Sequence, residues 1–315
     1  MSIITKDGFY FFDSFNSGLS MILDKRIDEI IEYVNLHDVK SLAIQPGLHD
    51  VLPKGEQPDY ILSDIAETGF LEQMPNLNEI AFIDVKDCNL DGLYCLKNLR
   101  SLTIANDVNN PSKNLRVDFS KFKNLEEINV DWFDKGFDIS KNDKVVSVSI
   151  NKYRPQSRDL SELPLPKSIS NLELVQSNIQ SLDGAPDNSI EKMELYYCPY
   201  LETLNGIRAF SGHLHRLMIE NARHLSDYDE IKYCKALESV VFANCGNIDS
   251  LNWVKALEKL SHFVLDKTVV NDGDMRNLLN IEKVAFTNKK HYNCKSKSHK
   301  GEDWKYITVP TVPEF

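Results

Sequence analysis

Apolar residues recur along this chain in one frame, apolar-x-x-apolar-x-apolar. The frame begins at Leu77, Leu99, Leu125, Val145, Ile169, Ile190, Leu214, Leu237, Leu260 and Ile281, and a fainter copy starts at Val39 with Leu42 and Ile44. Successive frames lie roughly two dozen residues apart, the period of a stacked-repeat architecture in which each unit buries its apolar side only against its neighbours. The end of each frame alternates as a strand does: Leu102-Thr103-Ile104, Leu172-Glu173-Leu174, Met193-Glu194-Leu195, Leu217-Met218-Ile219. The second halves read as helical or turn-like. A second signature recurs there, Asn89-Leu90-x-x-Leu93, Asn178-Ile179-x-x-Leu182 and Asn247-Ile248-x-x-Leu251. An Asn carboxamide supplies the donors and the acceptor that a buried bend needs.

The ends of the repeat pattern read differently. Residues 1–35 are expected to form an N-terminal cap, because an open stack would otherwise expose the core face of its first repeat. Phe9, Tyr10, Phe11, Phe12 and Phe15 suggest an extended segment or hairpin that covers something. Leu19, Ile22, Leu23, Ile27, Ile30, Ile31 and Val34 follow with helical spacing, and Asn16 or Ser17 is placed to cap that amphipathic helix. Residues 36–289 then hold about eleven repeats, with a loop insertion over 45–60 marked by Pro46, Gly47, Pro53, Gly55 and Pro58. A helical stretch, Ile61–Met74, leads back to the regular period. Residues 290–315 form a basic C-terminal tail or cap, in which Trp304 to Pro310 alternates like a final strand.

With these frames and half-repeats, the chain resembles bacterial leucine-rich repeat proteins of the type with about 22 residues per repeat, similar to the cytoplasmic relatives of internalins. The resemblance covers residues 39–289. It implies an α/β fold: a leucine-rich repeat solenoid forming a right-handed arc, with a parallel sheet on the concave side and short helices or irregular turns on the convex side. The pattern departs from the family at the ninth position, usually Asn or Cys. Here that position holds Val85, Asp107, Phe133, Tyr153, Ser177, Cys198, Ala222, Cys245, Thr268 and Lys289, so the internal Asn ladder is incomplete.

The repeat moves the functional question toward binding, and charge bears on the kind of partner. The net charge is −11, and the five lysines between Lys289 and Lys300 leave the rest more acidic still. An acidic body makes nucleic acid an unsuitable ligand and suits a basic protein partner. The six cysteines form no C-x-x-C pair and read as reduced thiols. With no leader-like start and no apolar run of membrane length, a cytoplasmic protein without a membrane partner is expected.

No Gly-rich phosphate loop, H-E-x-x-H or G-x-S-x-G occurs, so no catalytic residue, cofactor or enzyme activity is expected. His213, His215 and His224 are scattered. His291, Cys294 and His299 offer three candidates where a structural zinc wants four, so no metal is expected. Glu173, Glu194 and Glu220 fall at exposed strand positions of different repeats, where a solenoid places polar groups.

The register itself selects a binding surface. Residues between and just after the second and third apolar positions of a frame point away from the core. Among them, Asp131, Trp132, Glu173, Glu194, Tyr196, Tyr197, Met218 and Glu220 combine aromatic anchors with acids, the composition of a contact surface for a basic partner. The chain is therefore expected to be a non-enzymatic protein-binding module, monomeric when free. The sharper expectation is an immunity protein that neutralises a basic toxin domain through its acidic-aromatic concave face. Two alternatives are a regulatory or scaffold subunit of a cellular enzyme and an exported, adhesin-like binding protein.

Overall fold

The computed structural model describes residues 3–14, 18–46, 62, 64–85, 87–106, 116–133, 136–185 and 189–296. The expected cap at Asn16 or Ser17, most of the insertion over 45–60, and the tail beyond Ser296 with its Trp304–Pro310 segment lie outside these residues. The chain divides into two compact units, Met1–Val146 and Ser147–Phe315.

The first unit carries β1 (Ile3–Lys6), β2 (Phe9–Ser14), β3 (Gly18–Ile22), α1 (Ile27–Leu36), β4 (Ser41–Ile44), β5 (Glu79–Ile83), β6 (Ser101–Ala105) and β7 (Glu127–Asp131). The strands stand in sequence order. The pairs β1–β2 and β2–β3 are antiparallel, and β3 to β7 are parallel. The expected helix is shorter than its apolar spacing suggested: Leu19 to Ile22 lie in β3, and α1 starts at Ile27. Two strands compete for that segment and win. Met21 and Ile22 pair with Leu42 and Ala43 of β4, while Phe11 and Phe12 of β2 pair with Met21 and Ser20 from the other side.

Asp24 breaks the chain between strand and helix. Its carboxylate accepts the Arg26 backbone N–H at 2.8 Å and the Arg26 guanidinium at 2.6 Å. The aromatic start does cover something. Phe9 and Phe11 pack on Tyr33 of α1 at 4.7 and 6.3 Å between ring centroids, and the Tyr33 hydroxyl donates to Asp7 at 2.7 Å.

The second unit carries β8 (Ser147–Asn151), β9 (Asn171–Val175), β10 (Lys192–Tyr196), β11 (Arg216–Glu220), β12 (Ser239–Ala243), β13 (His262–Asp266) and β14 (Lys283–Phe286). All pair in parallel and without slip. Val148, Leu172, Met193, Leu217, Val240, Phe263 and Val284 form one row across the sheet. Ile150, Leu174, Leu195, Ile219, Phe242, Leu265 and Phe286 form a second. Both rows are buried. Each of the ten sequence frames thus supplies one strand, with its fourth and sixth positions in the core. One strand per repeat in sequential parallel order is the leucine-rich repeat fold, and each unit is a stretch of such a stack.

Most return segments carry a 3-10 turn, at Gly69–Gln73, Asp91–Cys95 and Phe119–Lys121 in the first unit and at Ile207–Phe210, Asp229–Tyr233, Asn252–Ala256 and Arg276–Leu278 in the second; the segment between β8 and β9 has none. Their apolar residues are spaced by three, as in Leu90, Leu93, Leu96, Leu99 and in Leu251, Val254, Leu257, Leu260. Backbone bonds follow the same step, Leu93 N to Leu90 O, Leu96 N to Leu93 O and Leu99 N to Leu96 O. A spacing of three matches the roughly 3.0 residues per turn of the 3-10 form and not the 3.6 of an α-helix. Of the helical stretch expected over Ile61–Met74, the described residues hold only a 3-10 turn at Gly69–Gln73.

Ninth positions inside the stack take over the role of an Asn ladder with smaller groups. The Ser177 hydroxyl donates to Tyr153 O at 3.0 Å, the Cys245 thiol to Ile219 O at 3.3 Å, and the Cys245 N–H donates to Thr268 Oγ1 at 3.0 Å. These side chains are buried, so each bond satisfies a backbone group that water cannot reach.

Candidate partner-binding face

The face of each sheet away from the core is defined by the strand alternation. In the second unit it has three rows. The first is Ser147, Asn171, Lys192, Arg216, Ser239, His262, Lys283. The middle row is Ser149, Glu173, Glu194, Met218, Val241, Val264, Ala285. The third is Asn151, Val175, Tyr196, Glu220, Ala243, Asp266. Glu173, Glu194, Tyr196, Met218 and Glu220 all stand on this face and neighbour one another across β9, β10 and β11.

Their chemistry differs from that of a bare acidic surface. Glu194 is only 7% exposed. Its carboxylate meets the Lys192 ammonium at 3.0 Å and the Arg216 guanidinium at 3.6 Å. Glu173 accepts the Ser149 hydroxyl at 2.7 Å, and Glu220 accepts the Asn221 side-chain amide at 3.0 Å. The Tyr196 hydroxyl donates to Met218 Sδ at 3.4 Å. Burial pushes the Tyr196 phenol up to about 12, with the carboxylates of Glu194 and Glu173 adding to the effect. Lys192 and Arg216 occupy the row one residue before the fourth position of the frame, which the sequence reading passed over. A five-residue strand carries its alternation one step further back than the frame does, and that step was the available signal.

Tyr197 lies just past β10 and is 54% exposed. Its φ is +54°, and it is one of a series at the same repeat position: Asp84 in the first unit, and Lys152, Gln176, Tyr197, Asn221, Asn244 and Lys267 in the second. Each turns the chain from the sheet toward the core while keeping one more inter-strand bond, as in Tyr197 N to Glu220 O at 2.9 Å and Asn221 N to Ala243 O at 2.9 Å. Asn tolerates this left-handed conformation, whereas a bulky residue pays about 1 kcal/mol or more for it. Tyr197 holds its place against its own preference and presents a ring to solvent.

The two remaining candidates belong to the first unit. Asp131 ends β7 on the face away from the core. Trp132 follows it and packs its ring on Phe137, 4.9 Å between centroids, in a cluster with Phe119 and Phe133. There it is partly buried at the strand end, a place that a frame stopping at Val130 does not reveal.

The free cysteines have no reactive setting. All six are free, and Cys198, Cys234, Cys245 and Cys294 are buried. Burial pushes the Cys198 and Cys234 thiols up to about 12 and the Cys245 thiol to about 11. The nucleophile is the thiolate, so in the native protein these three should resist an aromatic disulfide reagent that labels all six after denaturation. Rapid native labelling of Cys198 or Cys245 would contradict the packing. His291 sets Nε2 at 2.9 Å from Val270 O. Among the described residues no group of three or more His, Cys, Asp or Glu side chains is placed to hold a metal ion.

His262, in the basic row of the face, has Nδ1 2.8 Å from the Ser239 hydroxyl. Burial, then the charges of Arg216 and Lys283, hold its pKa below the usual 6.5. The folded state therefore binds fewer protons than the unfolded one. The stability this contributes is present above about pH 6.5 and is lost as pH falls below it toward the folded value. His262→Gln should flatten the decline of the thermal midpoint between about pH 7 and pH 5. An unchanged decline would show that the imidazole is not the group responsible.

No protein-family model matches the chain, and no curated protein does. Among solved structures, the chain is similar to an internalin from Listeria monocytogenes at 17% identity and a TM-score of 0.46, over 81% of this chain and 82% of that one. It is also similar to the functional domain of InlJ from Listeria monocytogenes at 17% identity and a TM-score of 0.34, over 79% of this chain and 62% of that one.

Proposed function

We propose that this leucine-rich repeat chain is a protein-binding module that engages its partner through the second unit, on the face around Tyr196, Met218 and the exposed Tyr197. The observation that carries the reading is Tyr197, a large ring kept half in water in a backbone conformation that disfavours it. Nothing in the folding of the stack asks for that residue, since Asn221 and Asn244 make the same turn in the next two repeats. Aromatic side chains of this kind, bordered by polar groups, are where contact energy concentrates.

The test is a pull-down from native cells with the wild-type chain and with Tyr196→Ala/Tyr197→Ala. A protein captured by the wild type and lost by the variant supports the module. A capture profile unchanged by the substitutions overturns it. Glu194→Ala is a poor probe, because removing a buried carboxylate leaves Lys192 and Arg216 facing each other without their counter-charge.

The narrower reading, an immunity protein acting in the cytoplasm on a basic toxin domain, is favoured by the net charge of −11. Co-expression with the product of the neighbouring gene decides it. Rescue from toxicity with co-purification supports immunity, and the absence of both removes it. No helix among the described residues is long and apolar enough to cross a membrane.

A further inference from the structure

Most arginines of this acidic chain are spent on its own carboxylates. Arg26 pairs with Asp24, Arg100 with Glu126, Arg208 with Glu230, Arg216 with Glu194 and Arg276 with Asp274. Three are not. Among the described residues Arg154, Arg158 and Arg223 meet no carboxylate at ion-pair distance, and all three are exposed. They lie on one rim of the second unit, where the chain leaves the carboxyl ends of β8 to β11.

Contacts on the rim tie Arg154 and Arg158 to the turns that follow β9 and β10. The Arg154 guanidinium donates to Gln176 O, after β9. Gln180 N donates to Arg158 O at 2.7 Å, and the Arg158 guanidinium stands 5.8 Å from the Tyr200 ring centroid, after β10. Arg223 follows β11, next to Ala222, whose carbonyl accepts the Gly246 N–H at 3.0 Å. Tyr200 is 51% exposed and shares its turn with Tyr197. The stretch Lys152-Tyr153-Arg154-Pro155-Gln156-Ser157-Arg158 contains three bases and no acid. Nearby carboxylates are oriented by neutral donors rather than by the three arginines, and they keep their charge: Glu220 by Asn221, Glu202 by Gln180, Glu162 by the Ser157 N–H and Asp159 by Ser161. At about 4.8 Å between strands, the rim from β8 to β11 spans roughly 15 Å, the length of four or five extended residues.

From this placement we infer that the rim formed by Arg154, Arg158, Arg223, Tyr197 and Tyr200 takes an acidic, extended peptide segment of a protein partner. The inference rests on the protein-binding reading and specifies what the partner presents. A guanidinium matches a carboxylate two bonds at a time, and tyrosines flanking it provide apolar area with a polar tip. A carboxylate peptide fits better than a nucleic acid. Duplex DNA carries about one charge per 1.7 Å, and a body of net charge −11 opposes such a density overall. A short peptide brings only the few charges that the rim meets.

The probe is a labelled decapeptide alternating Glu and Ala, followed by fluorescence anisotropy against the whole chain. Alternating Lys and Ala, and a single-stranded oligonucleotide of similar length, serve as the other arms. Binding of the acidic peptide that weakens with salt and falls about tenfold in Arg154→Ala/Arg158→Ala/Arg223→Ala supports the rim, provided Arg208→Ala/Arg276→Ala leaves it unchanged. No binding of the acidic peptide, equal binding by the triple variant, or preference for the oligonucleotide overturns it. The two proposals fail separately: a cellular partner lost by the Tyr196/Tyr197 variant but held by the triple arginine variant would remove the rim and leave the module standing.

Discussion

Gly206→Ala should lower the stability of the second unit by about 3 kcal/mol, from two costs that add at one residue. Gly206 precedes the 3-10 turn Ile207–Phe210 with φ at +91°, a left-handed conformation that any β-carbon disfavours. The neighbouring repeat also passes directly beneath it. A β-carbon there would lie 2.1 Å from Leu182 O, 2.2 Å from Leu182 C and 2.5 Å from Asp183 N, all main-chain atoms. A flexible side chain could move aside; a backbone held in register by Leu182 N donating to Asn205 O at 2.8 Å cannot do so cheaply.

Gly8→Ala isolates the first cost. It has φ at +82° and nothing within 4 Å of the added carbon, so about 1 kcal/mol is expected there. Urea midpoints of the two variants against wild type provide the measurement. A Gly206 variant no less stable than the Gly8 variant would show that the repeats do not approach this closely.

The comparison also marks what the sequence could reveal. The strands were legible because their signal is repeated and physical. Leu217 and Ile219 must enter a core, Met218 between them must leave it, and ten copies in register exclude coincidence. The 3-10 turns were legible in principle, since Leu90, Leu93, Leu96 and Leu99 step by three, but short apolar runs at that spacing also fit a loose helix. The N-terminal helix was overdrawn because Leu19 to Ile22 satisfy helical spacing as well as they satisfy a strand. Pairing with β2 and β4 decides between them, and pairing is not a local property.

Site chemistry was less legible than position. The frame placed Glu194 on the correct face. Its burial follows from Lys192 two residues earlier and Arg216 in the next repeat, partners that only the register brings within 4 Å. Trp132 shows the opposite limit. The strand ends at Asp131, so the alternation no longer predicts where the next ring goes, and Phe137 captures it.

Tyr197→Asn should separate folding from binding in one substitution. In the folded chain the residue sits at φ +54°, where Asn221 and Asn244 occupy the same place in the following repeats. Replacing a bulky side chain by Asn at a left-handed position relieves about 1 kcal/mol of backbone strain. The Tyr197 ring packs into no aromatic pair among the described residues and is half exposed, so little packing is lost in exchange. The variant should therefore unfold at a higher urea concentration than wild type.

Its partner affinity should fall by roughly 30-fold, since truncating an aromatic anchor at a contact centre costs about 2 kcal/mol. Asn205, already outside the left-handed set, provides a neutral comparison as Asn205→Ser. A gain in stability together with a loss of binding would mean that the tyrosine is held there for its contact and at the expense of the fold. Equal affinity in the variant would return Tyr197 to the ordinary exposed surface. A fall in stability would show that the ring contributes to folding more than the strained backbone costs. The decisive quantity is the sign of the two changes, because a residue kept only for the fold cannot weaken binding while its loss strengthens the protein.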